Sequence, residues 1–161
     1  FLISSLGRSA DNLSRGTETQ LANDGVSGTI AEINKVFEFE AVNAEREDVT
    51  VKFTIVSAER KSEIKLKGEP RKPASGYSYL LIRMEIQNDK TERVAIAPAD
   101  RIRLEIDGKL YAPDYHNGNV VIDPISVKKD IVAFAVKSDQ KDFIFQIGEL
   151  EGDKEKVEVK F

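Results

Sequence analysis

Apolar residues recur at every second position through most of this chain, and this spacing limits the folds that are open to it. In residues 49–55, valine, phenylalanine and isoleucine alternate with threonine and lysine. The same alternation returns in residues 78–88 and 101–107. Because successive side chains of a strand point to opposite faces, the pattern is typical of strands with one face in a core and the other in water.

Further short segments of the chain also fit strands, and turn signals separate them. Glycines 108 and 118 follow Asp107 and Asn117, which predicts two tight turns, and residues 69–76 read as a proline-containing loop. Together these signals predict an all-β fold, an immunoglobulin-like antiparallel β-sandwich of about 7–9 strands with a short N-terminal helix or extended lead. The additional predicted strands are residues 33–41, 63–67, 119–122, 131–136, 143–147 and 156–161.

The first 28 residues differ from the rest and predict a separate segment. Residues 1–6 are apolar but far fewer than the roughly 20 needed to span a bilayer, and residues 7–28 are rich in Ser, Gly, Asn, Asp and Thr. They fit either a juxtamembrane stalk after a removed membrane anchor or an extension packed on the domain. We divide the chain into residues 1–28 and a sandwich domain of residues 29–161, and expect an extracellular or cell-surface location.

Composition removes several classes of function. The 24 basic and 28 acidic residues give a net charge of −4, which argues against a nucleic-acid partner. The absence of cysteine excludes disulfides, thiolate zinc sites and a cysteine nucleophile, and a single histidine leaves little for a histidine-bound metal or a catalytic triad. Because no catalytic or phosphate-binding motif is present either, we expect no catalytic residues, no cofactor and no enzymatic activity.

One short segment carries an unusual concentration of aromatic and polar residues. Tyr111, Asp114, Tyr115, His116 and Asn117 lie within seven positions. One interpretation is a recognition loop at an end of the sandwich, where loops often bind partners and tyrosine is a favoured anchor. The other is a turn whose tyrosines cover the edge of the core.

Several aspartates could supply oxygen ligands for calcium. Asp107, Asp114 and Asp123 are the candidates, but calcium takes about six to eight oxygens and no local calcium-loop spacing gathers these residues. The alternative is that they cap turns and solvate the surface. The sequence therefore predicts no metal site. Asp107, Asp114 and Asp123 are kept only as weak calcium candidates.

Residues 79–113 resemble a known family. A long apolar strand closes at Asn88, a polar turn follows, and a Val-Ala-Ile step precedes Pro98; a strand then reaches Asp107 and Gly108 before the segment Lys-Leu-Tyr-Ala-Pro. This order is similar to the telokin-like, or immunoprotective-antigen-like, family of secreted immunoglobulin-like β-sandwich domains of unassigned function. The resemblance implies a domain outside the cytoplasmic membrane, and since the family's lipid-attachment cysteine is missing, attachment through a transmembrane segment.

These observations lead to one expected function and two alternatives. We expect a non-catalytic domain that binds or positions another cell-surface protein or polymer through end loops or an exposed sheet edge. Residues 1–7 and the overall organisation also resemble single-span archaeal surface proteins, so one alternative is an assembly or anchoring subunit of a surface filament that self-associates through its N-terminal segment. The other is a carbohydrate-binding or inhibitor-like module that uses residues 111–119.

Overall fold

The computed structural model describes residues 21–22 and 28–161, and strands dominate this part of the chain. A short 3-10 helix spans Pro98–Arg101. No helix in residues 28–161 is long and apolar enough to cross a bilayer. The strands are β1 (Thr29–Val42), β2 (Asp48–Lys61), β3 (Ile64–Leu66), β4 (Glu69–Arg71), β5 (Tyr77–Asn88), β6 (Val94–Ile96), β7 (Ile102–Ile106), β8 (Lys109–Tyr111), β9 (Tyr115–His116), β10 (Val120–Ile122), β11 (Ser126–Lys137), β12 (Asp142–Gly148) and β13 (Lys154–Lys160).

The strands form two antiparallel layers, which confirms the predicted β-sandwich. One sheet has the order β10-β6-β1-β2-β5-β11-β9, and the other has the order β13-β12-β7-β8. Each of the nine segments predicted as strands overlaps an observed strand. Seven of the described strands have five or more residues, namely β1, β2, β5, β7, β11, β12 and β13, and the remaining six have two or three.

The core lies between the two sheets and follows the two-residue period. Leu80, Ile82, Met84 and Ile86 of β5 all point into it and are at most 1% exposed. From the facing sheet, β12 contributes Phe145, whose ring centroid lies 5.7 Å from that of Phe134 on β11. Each such fully buried side chain stabilises the fold by about 1.5–3 kcal/mol relative to exposure.

A second, smaller cluster covers part of the outer face of the seven-stranded sheet. The β3–β4 hairpin packs Ile64 and Leu66 on Leu81 of β5 and on neighbouring residues of β11. The first half of β5 is therefore buried on both faces, which explains the unbroken apolar run at residues 79–82. Leu21, on the N-terminal side of the predicted boundary at residue 28, is also buried in this cluster. The predicted N-terminal helix or extended lead and the stalk otherwise fall on residues 1–20 and 23–27, outside the described residues.

The seven-stranded sheet is strongly curled. Its two edge strands, β9 and β10, are joined by only three residues, and the chain from His116 to Val120 can reach about 14 Å. Seven flat strands would span about 29 Å from edge to edge. The sheet bends between β1 and β6, which pair only through Val42 and Ala95. As a result β6 and β10 close one end of the sandwich.

The predicted turns form, but they have different roles. Asp107 and Gly108 both have positive φ, 52° and 77°, and join β7 to β8 as a tight hairpin. Gly118 also has positive φ, at 73°, but its turn links the two edges of one sheet rather than two paired strands. In the predicted loop of residues 69–76, the first three residues pair with β3 as β4, a strand with one neighbour that therefore tolerates Pro70.

Candidate functional site

The predicted recognition segment lies along the side of the sandwich, so its placement in an end loop is wrong. Tyr115 and His116 form the edge strand β9 and pair with Ala133 and Val132 in the middle of β11. Just before it, the Asp114 amide donates to the Ala133 carbonyl at 2.9 Å. The Asp114 carboxylate accepts a hydrogen bond from the Ala135 amide at 2.8 Å. Hydrogen bonding to the edge of β11 therefore overrides the tendency of these residues to form a loop.

Tyr115 is anchored to its neighbours within the protein. Its ring meets Tyr79 edge-on, with centroids 6.0 Å apart. The Arg71 guanidinium lies 5.9 Å from the Tyr115 centroid and donates to its hydroxyl at 3.3 Å. Burial, together with the neighbouring Tyr115, raises the pKa of Tyr79 above its ordinary value. Tyr115 thus holds β9 against the β3–β4 hairpin, as the core-edge interpretation expected.

His116 and Asn117 also make internal hydrogen bonds. His116 Nδ1 accepts from the Gly118 amide at 3.0 Å, within the turn. Asn117 Oδ1 accepts from the Leu21 amide at 2.7 Å, and its Nδ2 donates to Asp130 Oδ1 at 2.9 Å. Asn117 therefore connects the buried Leu21 to β11.

Asp130 is a buried carboxyl group at this connection. Its removal from water raises its pKa from 3.8 to about 6, although Asn117, the Ile131 amide and the charge of Lys128 each oppose the shift. The charged form is costly at such a site because the surroundings replace only part of its hydration. Asp130 is accordingly a group that titrates near neutral pH in the folded protein.

The structure does not gather the three calcium candidates. Asp107 occupies the β7–β8 turn, Asp114 caps the β11 edge, and Asp123 forms an exposed ion pair with Arg93 at 2.9 Å. In the described part of the chain, no three His, Cys, Asp or Glu residues are grouped so that they could hold a metal ion. Tyr111, on the edge strand β8, remains 46% exposed.

A surface that the sequence analysis did not single out lies at the end of the sandwich closed by β6 and β10. Val42, Ala95 and Val121 are successive register partners across β1, β6 and β10, so their side chains share one face. Ile125 and Val127 lie at the same end of the sandwich, after β10 and at the start of β11. We call these five residues the apolar end. The four larger ones are exposed by 42% to 68%, Ile125 most of all.

The backbone at the apolar end is firmly held. Asn88, fully buried at the end of β5, donates from Nδ2 to the carbonyls of Glu92, Ile122 and Asp123 at 2.8–3.2 Å. Its Oδ1 accepts from the Lys90 amide at 2.9 Å. This one side chain thus ties the β5–β6 loop to the β10–β11 turn. The available signal in the sequence was the pair of aliphatic residues at 125 and 127, directly after a proline, where a turn would favour polar residues.

Among the large apolar side chains that the structure describes, Ile125 is the most exposed, and its backbone conformation is unfavourable. Its φ is +52°, in the left-handed region that β-branched residues rarely adopt. The conformation is fixed by the bond from the Ile125 amide to the Lys90 carbonyl at 3.1 Å. The strain and the loss of burial both act against isoleucine at this position, so the fold alone does not account for it.

Comparison with known proteins identifies the fold. No protein-family model and no curated protein matches the chain. A conserved hypothetical protein from Bacillus anthracis is similar in structure, with a TM-score of 0.53 and 13% identity, over 83% of this chain and 99% of that one. An uncharacterised β-sandwich protein from Clostridium difficile 630 is similar with a TM-score of 0.52 and 17% identity, over 85% of this chain and 97% of that one. At these identities the likeness concerns the fold, and the fold is an all-β antiparallel sandwich.

Proposed function

We propose that this protein is a non-catalytic binding module, displayed outside the cell, that binds or positions another surface protein or polymer. The observation that carries the proposal is the apolar end, a set of exposed aliphatic side chains on a firmly held backbone. Exposed apolar side chains that lie together often mark interaction sites. Loops fixed by a rigid sandwich are also a common place for recognition.

Ile125 gives the strongest support within that surface. A left-handed conformation costs a residue with a Cβ atom roughly 1–2 kcal/mol, and glycine or asparagine would avoid most of this cost. A side chain that is 68% exposed recovers little of it through burial in the free domain. A partner that buries Ile125 would recover it, which makes this residue the proposed centre of the contact.

The telokin-like resemblance supports the proposed location. Residues 79–113, which carry the resemblance, form β5, β6, the 3-10 helix, β7 and β8. Asn88, which closes the long strand of the resembling segment, is the side chain that holds the apolar end together. A membrane anchor would hold the sandwich domain at the cell surface.

The two alternatives have less support. A filament subunit would assemble through residues 1–21, of which the structure describes Leu21, and that residue is buried within its own domain. A carbohydrate-binding or inhibitor-like module would use residues 111–119. Asp114, Tyr115 and Asn117 of that segment already make internal contacts.

The experiment is a binding assay of the purified full chain on envelope fractions of the source cells. We expect saturable binding that is lost in the double variant Val121→Asp, Ile125→Asp. The matched control is Leu110→Asp, which places the same charge at a residue 45% exposed on the far sheet and should bind like the unchanged protein. Equal binding by all three proteins, or no saturable binding at all, would contradict the proposal.

A further inference from the structure

The end of the sandwich opposite the apolar end carries a polar groove. It lies where the start of β1, the β2–β3 connection, the start of β5 and the turn after β11 come together, and it has a volume of about 360 Å³. This size is at the lower end of the roughly 300–1,000 Å³ found for small-molecule sites. The lining residues are Gly28, Thr29, Arg60, Lys61, Ser62, Glu63, Ser78 and Ser138.

Arg60 is the fixed element of this groove. Its guanidinium lies beside two aromatic rings, 5.3 Å from the Phe143 centroid and 5.2 Å from that of Phe161. It donates to Ser78 Oγ at 2.8 Å and to backbone carbonyls of the turn after β11, including that of Gln140. The stacking and the hydrogen bonds hold the charge in one orientation, so little side-chain entropy remains to be lost when a ligand arrives.

The positive charge of Arg60 is not neutralised by these contacts. Its hydrogen bonds all go to uncharged oxygen atoms, and none of the ion pairs in residues 28–161 includes Arg60 or Lys61. Burial of the guanidinium lowers the pKa of Arg60. With Glu63 as the acidic residue of the lining, the groove has a net charge of +1.

The serine hydroxyls give the groove its donors. Ser78, which is 7% exposed, accepts from Arg60 at Oγ, so its own O–H proton is directed away from the guanidinium. Ser62, Ser138 and Lys61 also line the groove. Hydroxyl donors and cationic side chains are the groups that recognise a compact anion with several oxygen atoms.

We propose that this groove binds a small oxyanion, the phosphate or carboxylate group of a small molecule. The hydroxyls of Ser62, Ser78 and Ser138 donate to its oxygens, Lys61 forms the direct ion pair, and Arg60 acts through Ser78 and through its uncompensated charge. The site is independent of the apolar end, because the two lie at opposite ends of the sandwich. Its loss would leave the proposed function untouched.

The test is a titration of the full chain followed by backbone amide NMR shifts. Sodium phosphate and sodium glucuronate are the two probes, and sodium chloride at equal ionic strength is the reference. We expect saturable shifts in the millimolar range at Ser62, Ser78 and Ser138. Stronger binding of phosphate identifies a phosphate ligand, stronger binding of glucuronate identifies a sugar-acid ligand, and equal binding shows that the oxyanion alone is recognised.

Variants then assign the shifts to the groove. Lys61→Gln and Ser78→Ala should each weaken binding about 3- to 10-fold, because Lys61→Gln removes the ion pair to the anion and Ser78→Ala removes a donor together with one hydrogen bond that holds Arg60. Lys109→Gln, on the exposed edge strand β8, is the matched control and should bind as the unchanged protein does. The proposal is overturned if neither probe gives saturable shifts beyond those of chloride, or if Lys61→Gln and Ser78→Ala bind both probes unchanged.

Discussion

Asp130 gives this fold a stability that depends on pH in a defined direction. The carboxyl group is 5% exposed, and burial raises its pKa from 3.8 in an accessible chain to about 6 in the folded protein. Between these two pH values the folded protein keeps the proton on Asp130 and the unfolded chain loses it. Protonation therefore favours the folded state, and the contribution of Asp130 to stability falls as the pH rises from about 4 to 6.

The size of the effect follows from the shift. Each pKa unit corresponds to about 1.4 kcal/mol, so a shift of roughly two units makes Asp130 about 3 kcal/mol less favourable above pH 6 than below pH 4. The substitution Asp130→Asn removes the titration and keeps an oxygen that can accept from Asn117. We expect the variant to gain about 2.5 kcal/mol on the unchanged protein between pH 4 and pH 7.5, whatever fixed cost the new amide brings, because the unfolded carboxyl group is already partly ionised at pH 4.

The assay is urea unfolding at pH 4 and pH 7.5 for the unchanged protein, Asp130→Asn and an exposed control, Asp139→Asn. The measured quantity is the difference in unfolding free energy between each variant and the unchanged protein, compared across the two pH values. Asp139→Asn should show almost no such change, because its carboxyl group is exposed. A gain below about 1 kcal/mol for Asp130→Asn, or a gain of opposite sign, would refute the assignment of a buried, proton-retaining carboxyl group.

Three further substitutions test the remaining contacts. Asn88→Ala should lower the free energy of unfolding by about 2–4 kcal/mol in urea titrations, since it strips partners from several carbonyls, one of them fully buried. Gly28→Ala should lower the melting temperature, because a Cβ atom there would overlap the backbone oxygen of Arg60; an unchanged melting temperature would show that the chain shifts freely at this point. Ile125→Gly should raise the free energy of unfolding by about 1 kcal/mol and weaken binding to envelope fractions. If the variant is more stable and also binds more tightly, the strained isoleucine is not kept for binding.

The alternation of residues predicts much of the fold because strand formation leaves a local signature. In β5, residues 80, 82, 84 and 86 enter the core, and the charged residues at 83 and 85 point the other way, as the period of two requires. The hairpin at Asp107 and Gly108 is equally local, since two adjacent positive φ angles suit Asp-Gly. Such features need no knowledge of which strands are neighbours.

The position of the predicted recognition segment depended on sheet order, which the alternation does not contain. His116 and Val120 are four residues apart but belong to strands at opposite edges of one sheet. Asn117 reaches Leu21, 96 positions away, because β9 pairs with β11, and β11 and Leu21 belong to the same buried cluster. A sequence pattern can predict that residues 115 and 116 are extended, but the choice of β11 as their partner is made by the whole domain.

The candidate residues also show why a polar side chain in a short connection is an ambiguous signal. Asn88 and Asn117 each satisfy backbone groups that strand pairing leaves open, and this structural use has the same appearance in sequence as a binding residue. The reverse holds for Val121, an aliphatic residue of a predicted strand that the structure shows to be 47% exposed. A buried polar residue is used by the fold, whereas an exposed aliphatic residue is available to a partner. Exposure in the folded domain is therefore the property that distinguishes the two roles.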